Sequence, residues 1–285
     1  MQNRVIITGA SGFVGRIIVS ELRILGWEVI PVVREPSGLK GEYIINPDSK
    51  DFFDKLSSLP KSKSILHLAS HVDFSESANI GDFYTTNILY TSCLVQLSKL
   101  WSAQLIFSSG IIVYDDIEYI NQDTIVTDNP LTQYGRAKLL AESIIISAGI
   151  DYTILRIPGI YGYGGPQHLG INSAITNAID SYCEPILKGK GSAKRNYIYV
   201  YDLIDNIHSC LEKKILGEHL IAGGEVVTIK QMLESVCELL LNGVQLINRP
   251  GEDAMDKVIE KSTHFPKGRS FVDALLDIKA RNFIK

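Results

Sequence analysis

Residues 4–15, RVIITGASGFVG, decide the fold that we predict for this chain. The β-branched apolar run at 5–7 is typical of a buried strand, and the apolar residues at helical spacing over 16–25 are typical of a helix. A glycine-rich turn joins the two. A strand, such a turn and a helix, in that order, form a site where free backbone N–H groups at the helix start face a phosphate.

The three glycines of this turn have separate predicted roles. Gly9 permits a tight exit from the strand, Gly12 lets the backbone approach a pyrophosphate, and Gly15 allows the helix to pack closely on the strand. A tight turn without a ligand is the alternative, and the flanking strand and helix favour the ligand-binding interpretation. The residues that we predict to bind a dinucleotide here are Gly9, Ser11, Gly12, Phe13 and Val14.

Composition narrows the class of protein. The chain has 285 residues, 45% of them hydrophobic, and its 28 basic and 32 acidic residues are mixed along the sequence, with no basic stripe for nucleic acid. The four cysteines are widely spaced, so we expect reduced, buried thiols and no metal site. No apolar run approaches the ~20 residues of a membrane span, and the first strand begins almost at Met1. We therefore expect a cytoplasmic protein with no leader segment.

Strands and helices alternate along the rest of the chain. Further strands are predicted at 27–33, 43–45, 64–68, 104–107, 152–156, 196–200 and 219–221, further helices at 51–59, 83–100, 134–147, 171–181, 202–212, 228–241 and from 271, and loops at 114–132 and 159–170. This alternation predicts an α/β fold, a doubly wound, Rossmann-like parallel sheet with a small mixed C-terminal substrate lobe.

The domain division follows from a shift in composition after the strand at 152–156. We assign residues 1–160 and 196–222 to a dinucleotide-binding core. Residues 161–195 and 223–285 form the predicted substrate-binding lobe. We expect that lobe over the carboxyl edge of the sheet, where ligands bind in open α/β folds.

Tyr134 and Lys138 are the candidate catalytic pair. Residues four apart lie on one face of a helix, and an ammonium beside a phenol stabilises the phenolate and lowers its pKa from ~10. Such a pair can exchange a proton with an alcohol or a ketone, and the lysine can also hold a ribose hydroxyl. This spacing alone usually indicates only a surface helix. Here it follows the predicted dinucleotide-binding turn, and this context favours the catalytic interpretation.

The chain resembles the extended short-chain dehydrogenase/reductase family, in its nucleotide-sugar epimerase, dehydratase and reductase branch. The stretches that carry the resemblance occur in the family's order: TGASGFVG at 8–15, HLAS at 67–70, Asn87, FSSG at 107–110, YGRAK at 134–138, LRIPGIYG at 155–162 and RNYIYVYD at 195–202. Together they span most of the chain.

The resemblance implies roles for several further residues. Leu68, Ala69 and Ser70 would line the cofactor at the end of the fourth strand, and Asn87 would steady the middle of the long helix beside it. Pro158 would lie near the nicotinamide, and Arg195 would meet the diphosphate of the substrate. The alternative for Arg195 is a solvated side chain in a polar loop, and for His67 we prefer a buried, hydrogen-bonded histidine without a catalytic role.

The chain departs from the family's pattern at two positions. Most relatives have a Ser or Thr four residues before the tyrosine of a Val-Tyr motif, and counting back from Tyr114 gives Gly110. The adjacent Ser109 is therefore our candidate for the catalytic and substrate-binding hydroxyl. Relatives usually have Asn where this chain has Gly159, which we keep as a candidate substrate-binding residue.

The end of the second strand bears on the choice of cofactor. NAD-dependent enzymes normally have an acid there, on the ribose hydroxyls, whereas this chain has Val33 followed by Arg34. An arginine can instead pair with a 2′-phosphate. Arg16 lies in the first turn of the first helix, where its positive charge is repelled by the positive end of the helix dipole. A bound phosphate would offset this unfavourable electrostatic energy. We therefore predict NADP(H) in preference to NAD.

These features imply an NADP(H)-dependent reductase of a nucleotide-linked 4-keto sugar, with Tyr134 as proton donor. The first alternative is a nucleotide-sugar 4-epimerase that uses bound NAD(P), and the second is a non-catalytic dinucleotide-binding relative. The nucleotide, the sugar and the product stereochemistry stay open. We also predict a homodimer formed by helices 83–100 and 134–147, because the second has more apolar surface than one core-facing stripe needs and relatives pair these helices.

Overall fold

The alternation of strands and helices is present in the computed structural model, which describes residues 3–282. The strands are β1 (Arg4–Thr8), β2 (Glu28–Val33), β3 (Tyr43–Ile44), β4 (Ser64–His67), β5 (Gln104–Gly110), β6 (Tyr119–Ile120), β7 (Tyr152–Ile157), β8 (Ile160–Tyr161), β9 (Ile186–Lys188), β10 (Lys194–Arg195), β11 (Ile198–Tyr199), β12 (Gly217–Leu220), β13 (Val227–Thr228), β14 (Ile247–Arg249) and β15 (Val258–Ile259). The helices are α1 (Phe13–Ile24), α2 (Phe52–Ser57), α3 (Tyr90–Trp101), α4 (Gln133–Ile146), α5 (Gly170–Asp180), α6 (Val200–Lys213), α7 (Ile229–Leu240) and α8 (Phe271–Asn282).

A seven-stranded sheet confirms the predicted Rossmann-like α/β fold. Its strand order is β12-β7-β5-β4-β1-β2-β3, and β1 pairs in parallel with both β2 and β4. The order reverses at β1, because the chain moves outward through β2 and β3 and then returns to β4 on the other side. The carboxyl ends of β1 and β4 therefore flank the switch point, where open α/β sheets bind their ligands.

The described residues divide into two compact units. The first comprises residues 3–115, 125–156 and 207–219, and the second comprises residues 116–124, 157–206 and 220–282. The assignment of residues to a dinucleotide-binding core and a substrate-binding lobe stays a prediction.

The first unit has an apolar core on one face of its strands. Side chains from α2, α3 and α4 pack there against alternate strand residues, among them Phe52, Leu56, Leu94, Leu97, Ile145, Ile6, Ile65, Leu105 and Ile154. Strand residues alternate between the two faces, so Val5 and Ile7 belong to the opposite face, and both are fully buried. The sheet is therefore covered on both faces, as parallel sheets usually are.

In the second unit, helices α5, α7 and α8 accompany four short strand pairs: β6–β15, β8–β11, β9–β14 and β10–β13. The side chain of Thr228 caps α7 by accepting a hydrogen bond from the Gln231 amide at 3.1 Å.

Four local predictions need correction. The segment 83–100 is not one α-helix, because a 3₁₀ helix (Ile80–Phe83) and a π-helix (Tyr84–Leu89) precede α3. Strands β8 and β6 lie in the predicted loops 159–170 and 114–132, and each forms only after pairing with a strand distant in sequence. Cys183 is exposed rather than buried, whereas the other three cysteines are buried as expected.

None of the helices between residues 3 and 282 is both long and apolar enough to cross a membrane. Within the same range, no group of three or more His, Cys, Asp or Glu side chains is arranged to hold a metal ion.

Candidate active site

The turn after β1 has room for backbone only. Gly9 has a φ of +68°, and a Cβ there would lie 2.6 Å from the amide nitrogen of Ala69, at the end of β4. A Cβ on Gly15 would lie 2.2 Å from the carbonyl oxygen of Gly9. Both contacts are too short for any side chain, so the glycines set the close approach of the loop to β4 and of α1 to β1.

The first turn of α1 is open to an anion. Gly12 is its N-cap, no side chain accepts from the exposed amides, and the first turn contains no acidic residue. The first N–H groups of a helix have no partner within the helix, so a phosphate can accept hydrogen bonds from them. Ser11 and Gly12 are exposed, and Phe13 and Val14 are partly exposed. This cradle fits the diphosphate of a dinucleotide.

Arg16 and Arg34 differ in how far their guanidinium groups are already engaged. Arg16 donates from Nε to the Ser11 carbonyl at 3.0 Å and from Nη2 to the Ser37 carbonyl at 3.1 Å, so it joins the glycine-rich turn to the loop after β2. Arg34 is exposed, and its nearest acid is the equally exposed Glu35 at 3.7 Å. Arg34 therefore remains available to an anionic ligand, whereas Arg16 orders the two loops.

His67, at the end of β4, is a structural residue. It is fully buried; its Nδ1 lies 2.7 Å from the Thr8 hydroxyl and its Nε2 lies 3.1 Å from the Thr91 hydroxyl. Burial, with a contribution from the Lys138 cation, lowers the pKa of His67 to about 3, so the ring is neutral. The interpretation as a buried, hydrogen-bonded histidine is confirmed.

Asn87 holds the chain that follows β4. Its Oδ1 accepts from the His71 amide at 2.7 Å, and its Nδ2 donates to the His71 carbonyl at 3.0 Å. Its amide is therefore engaged with the backbone directly after Leu68, Ala69 and Ser70. The structure thus shows Asn87 positioning this segment, and a contact of Asn87 with the cofactor stays a prediction.

Lys138 is buried against the end of β5. Its Nζ donates to the Ser108 carbonyl at 2.7 Å and lies 4.7 Å from the centroid of the Phe107 ring. The centroid of the Tyr134 ring is 5.7 Å away. Burial lowers the pKa of Lys138 to about 7, although the negative charge of Glu142 opposes the shift.

Tyr134 packs between aromatic side chains. Its ring centroid lies 5.2 Å from that of Phe74 and 6.2 Å from that of Phe83, and its hydroxyl bonds to Ser70. Burial raises the pKa of Tyr134 to about 12, and the bond to Ser70 lowers it only in part. The expected lowering by Lys138 is wrong for this structure, because desolvation of the phenolate prevails. Tyr134 therefore keeps its proton at neutral pH.

The two serines at the end of β5 differ in their hydrogen bonds. The Ser108 hydroxyl donates to the His67 carbonyl at 3.0 Å. The Ser109 hydroxyl is buried and has no hydrogen-bond partner among the described residues. A buried polar atom without a partner is uncommon and fits a ligand contact. Gly110, which cannot supply a hydroxyl, is the N-cap of the next 3₁₀ helix.

Pro158, Gly159 and Arg195 belong to the second unit. A Cβ on Gly159 would lie 2.7 Å from the Tyr197 ring, so this ring takes the space that a larger residue would need. Arg195 is partly buried; its Nη1 donates to the Met255 carbonyl at 2.6 Å and its Nε to the Tyr197 hydroxyl at 3.2 Å. Arg195 is therefore not a freely solvated side chain. Contacts of these three residues with a ligand stay predictions.

Several residues of the site were missed from the sequence. Ser70 was expected to line the cofactor, and its bond to Tyr134 was not foreseen. Phe74 and Phe83 carry no pattern that predicts aromatic packing on a distant helix. Glu142 did carry a signal, since it lies four residues after Lys138 and therefore on the same helix face.

Comparisons with known proteins identify relatives of this chain. The family model described as "NAD dependent epimerase/dehydratase family" matches residues 5–223. A dTDP-4-dehydro-6-deoxyglucose reductase of Escherichia coli is 26% identical in an alignment 267 residues long, and the match covers 85% of this chain and 83% of that protein. A UDP-glucose 4-epimerase of Yersinia pestis is 25% identical in an alignment 256 residues long, and the match covers 75% of this chain and 74% of that protein.

A solved structure has the same fold. The structure of MoeE5 in complex with UDP-glucuronic acid and NAD superposes with a TM-score of 0.81 at 22% identity, and the match covers 98% of this chain and 99% of MoeE5.

Replacement of Lys138 by Met should stabilise the chain in the absence of cofactor. The cost of burying the ammonium is complete below pH 7, the folded-state pKa, and falls as the pH rises towards the usual 10.5. In a thermal melt at pH 6, we expect the melting temperature of Lys138→Met to exceed that of the wild type by at least about 3 °C. At pH 9 this difference in melting temperature should be smaller. Lys55→Met, at an exposed position, is the control. If Lys138→Met raises the melting temperature equally at both pH values, the expectation is contradicted.

Proposed function

Because the chain belongs to the NAD dependent epimerase/dehydratase family, in the extended short-chain dehydrogenase/reductase branch, it is an NAD(P)-dependent oxidoreductase or epimerase, and we propose that it reduces a nucleotide-linked 4-keto sugar with NADPH. The cradle before α1 would hold the diphosphate of the cofactor, and Arg34 its 2′-phosphate. Leu68, Ala69, Ser70 and Pro158 would line the rest of the cofactor site, with Gly159 and Arg195 towards the substrate.

The chemistry assigned to the chain is proton transfer and hydrogen bonding. When bound, the nicotinamide supplies a hydride to the ketone carbon. Tyr134 would donate its proton to the oxygen that becomes an alkoxide, and Ser109 would hydrogen-bond the same oxygen. Lys138 would hold the ribose of the cofactor, and its positive charge would favour the phenolate that Tyr134 leaves.

The exposed Arg34 guanidinium at the end of β2 carries the choice of reduction, because it suits NADPH, the hydride donor of a reductase. The protonation of Tyr134 agrees with this choice, although a tyrosine of ordinary pKa would hold its proton as well. A tyrosine with a pKa of about 12 holds its proton at neutral pH, and this is the form that a reductase needs at the start of its reaction. A 4-epimerase must first remove a proton from a hydroxyl, for which the phenolate is needed. The epimerase remains the second candidate because the Yersinia pestis relative bears that name.

A substrate panel tests the proposed function. NADPH oxidation is followed with 4-keto sugars linked to dTDP, UDP and GDP. The corresponding nucleotide 4-hydroxy sugars are incubated with NAD⁺ or NADP⁺ in place of NADPH to detect epimerisation. Reduction of at least one keto sugar supports the proposal. Interconversion of epimers without reduction favours the epimerase, and no turnover of any sugar favours a non-catalytic dinucleotide-binding protein.

The chain should bind NADPH more tightly than NADH. One ion-paired hydrogen bond from Arg34 to the 2′-phosphate contributes about 1.5–3 kcal/mol, which corresponds to roughly a tenfold to hundredfold preference. Arg34→Ala should remove most of this preference in a fluorescence titration. Arg4→Ala is the control, because Arg4 lies at the amino end of β1, away from the predicted cofactor site at the carboxyl end, and pairs with Glu28. Equal affinity for the two cofactors in the wild type would contradict the prediction.

Tyr134→Phe should lower turnover by about 10²–10⁴, the usual contribution of a general acid. The fold and the NADPH affinity should persist, because the ring still packs against Phe74 and Phe83. Tyr152→Phe is the control, since it removes a tyrosine hydroxyl that bonds to Glu218. Near-normal turnover by Tyr134→Phe on a substrate that the wild type reduces would exclude Tyr134 as the proton donor.

Ser109→Ala tests the unpartnered hydroxyl in the same assay. A loss of turnover without a loss of stability is expected, because the Ser109 hydroxyl has no bond to lose in the described residues. Ser108→Ala, which removes a bond to the His67 carbonyl, should instead lower stability. Unchanged turnover by Ser109→Ala would mean that another donor hydrogen-bonds the reacting oxygen of the substrate.

We also propose a homodimer formed by the segment 83–100 and α4. The support is apolar surface: Leu140 and Ile146 of α4 are 46% and 44% exposed, and Leu100 is 63% exposed. Light scattering at micromolar concentration measures the mass, and replacement of Leu140 and Ile146 by Lys should give a monomer. A monomeric mass for the wild type would contradict the proposal.

A further inference from the structure

A buried arginine joins two elements of the active site. Arg156, on β7, donates from Nη2 to Glu142 Oε2 at 2.8 Å and from Nη1 to the Tyr114 hydroxyl at 2.8 Å. The Glu142 side chain is 1% exposed, and that of Arg156 is 14% exposed. Tyr114 is also buried. The three side chains form a polar network inside the first unit.

Each end of this network adjoins a candidate catalytic residue. Tyr114 ends the 3₁₀ helix Ile111–Tyr114, which begins directly after Ser109 and Gly110. Glu142 lies one turn beyond Lys138 on α4, and both side chains are buried. Arg156 therefore ties the segment that carries Ser109 to the helix that carries Lys138.

Stability alone is a weak reason for such a network. Removing two charges from water costs free energy that a buried ion pair only partly recovers, and apolar residues of similar volume often serve as well. A role at the neighbouring site is the alternative, and the environment of Lys138 supports it.

The surroundings of Lys138 leave Glu142 as the acid that favours its charge. On α4 the titratable neighbours of Lys138 are Tyr134 and Glu142. On β4 the titratable neighbour is His67, which is neutral. Among the described residues, β5 contributes the Ser108 carbonyl and the Phe107 ring, which carry no charge. Arg156, on β7, pairs with the carboxylate of Glu142, and its positive charge offsets part of the negative charge that acts on Lys138.

We propose that Glu142 and Arg156 are positioning residues that set the charge of Lys138 and hold its helix against the Ser109 segment. Glu142 keeps a carboxylate near the buried ammonium, and Arg156 fixes and partly neutralises that carboxylate. The inference rests on the proposed role of Lys138 in holding the cofactor.

The pH dependence of NADPH binding tests the proposal without any sugar substrate. If binding needs the protonated Lys138, the affinity of the wild type falls as the pH rises above about 7, the pKa of Lys138. Glu142→Gln removes the supporting charge, so the midpoint should move to lower pH by about one unit. NADPH binding by this variant should be about tenfold weaker than that of the wild type at pH 8.5, and the two should differ by less than about twofold at pH 5.5.

Arg156→Gln should move the midpoint in the opposite direction. It leaves the carboxylate of Glu142 without its cationic partner, so the protonated Lys138 is favoured and binding persists to higher pH. A general loss of stability cannot produce shifts of opposite sign in two variants of one ion pair. Glu142→Asp keeps the negative charge, and its midpoint should stay within about half a pH unit of the wild type.

Two controls separate the possible failures. Asp202→Asn breaks the ion pair with Arg269 in the second unit and should leave the midpoint unchanged even if it lowers the melting temperature. Lys138→Met should abolish the pH dependence, and a dependence that persists would exclude the proposed role of Lys138 itself. If Lys138→Met behaves as expected but the Glu142 and Arg156 variants keep the wild-type midpoint, or shift it in the same direction, the inference is overturned.

Discussion

The burial of the Lys138 ammonium is the constraint on which the rest of the candidate site depends. A cation out of water needs acceptors and must avoid other cations. The Ser108 carbonyl accepts one of its hydrogen bonds, and the Phe107 ring faces it at 4.7 Å. His67 stays neutral because it is buried between two threonine hydroxyls. Lys138 on α4 therefore hydrogen-bonds to the end of β5, and its charge also acts on His67 at the end of β4.

Much of the fold could be predicted from local sequence. The runs at 5–7 and 105–107 are apolar and short, and the structure has strands there. The helix predicted at 16–25 is also present, as α1. Gly9 and Gly15 could also be assigned, because a turn between a strand and a helix makes specific demands on backbone and space. The strands, the helices and the positive φ of Gly9 depend on residues that are neighbours in sequence, whereas the close approach of Gly9 to Ala69 does not.

The features that could not be predicted depend on contacts between distant residues. Strand β8 has only two residues and forms by pairing with β11, some forty positions later. The π-helix before α3 brings Asn87 to the backbone of His71, and nothing in the local pattern marks the extra residue per turn. Tyr197 takes the space beside Gly159, so a ring nearly forty positions later in the chain fills the place of the missing side chain. Sequence spacing identified Tyr134 and Lys138, but the balance of desolvation and charge at Tyr134 requires the surrounding structure.

That balance links the two members of the catalytic pair. Desolvation acts in opposite directions on an acid and a base, because in each case it disfavours the charged form. It raises the pKa of Tyr134 to about 12 and lowers that of Lys138 to about 7, so both side chains tend towards neutrality. An added positive charge from Lys138 stabilises a Tyr134 phenolate, and an added negative charge from Glu142 stabilises the ammonium. Of these two effects, the structure shows the second: Glu142 favours the charge of Lys138, whereas at Tyr134 burial outweighs every other influence on the phenol.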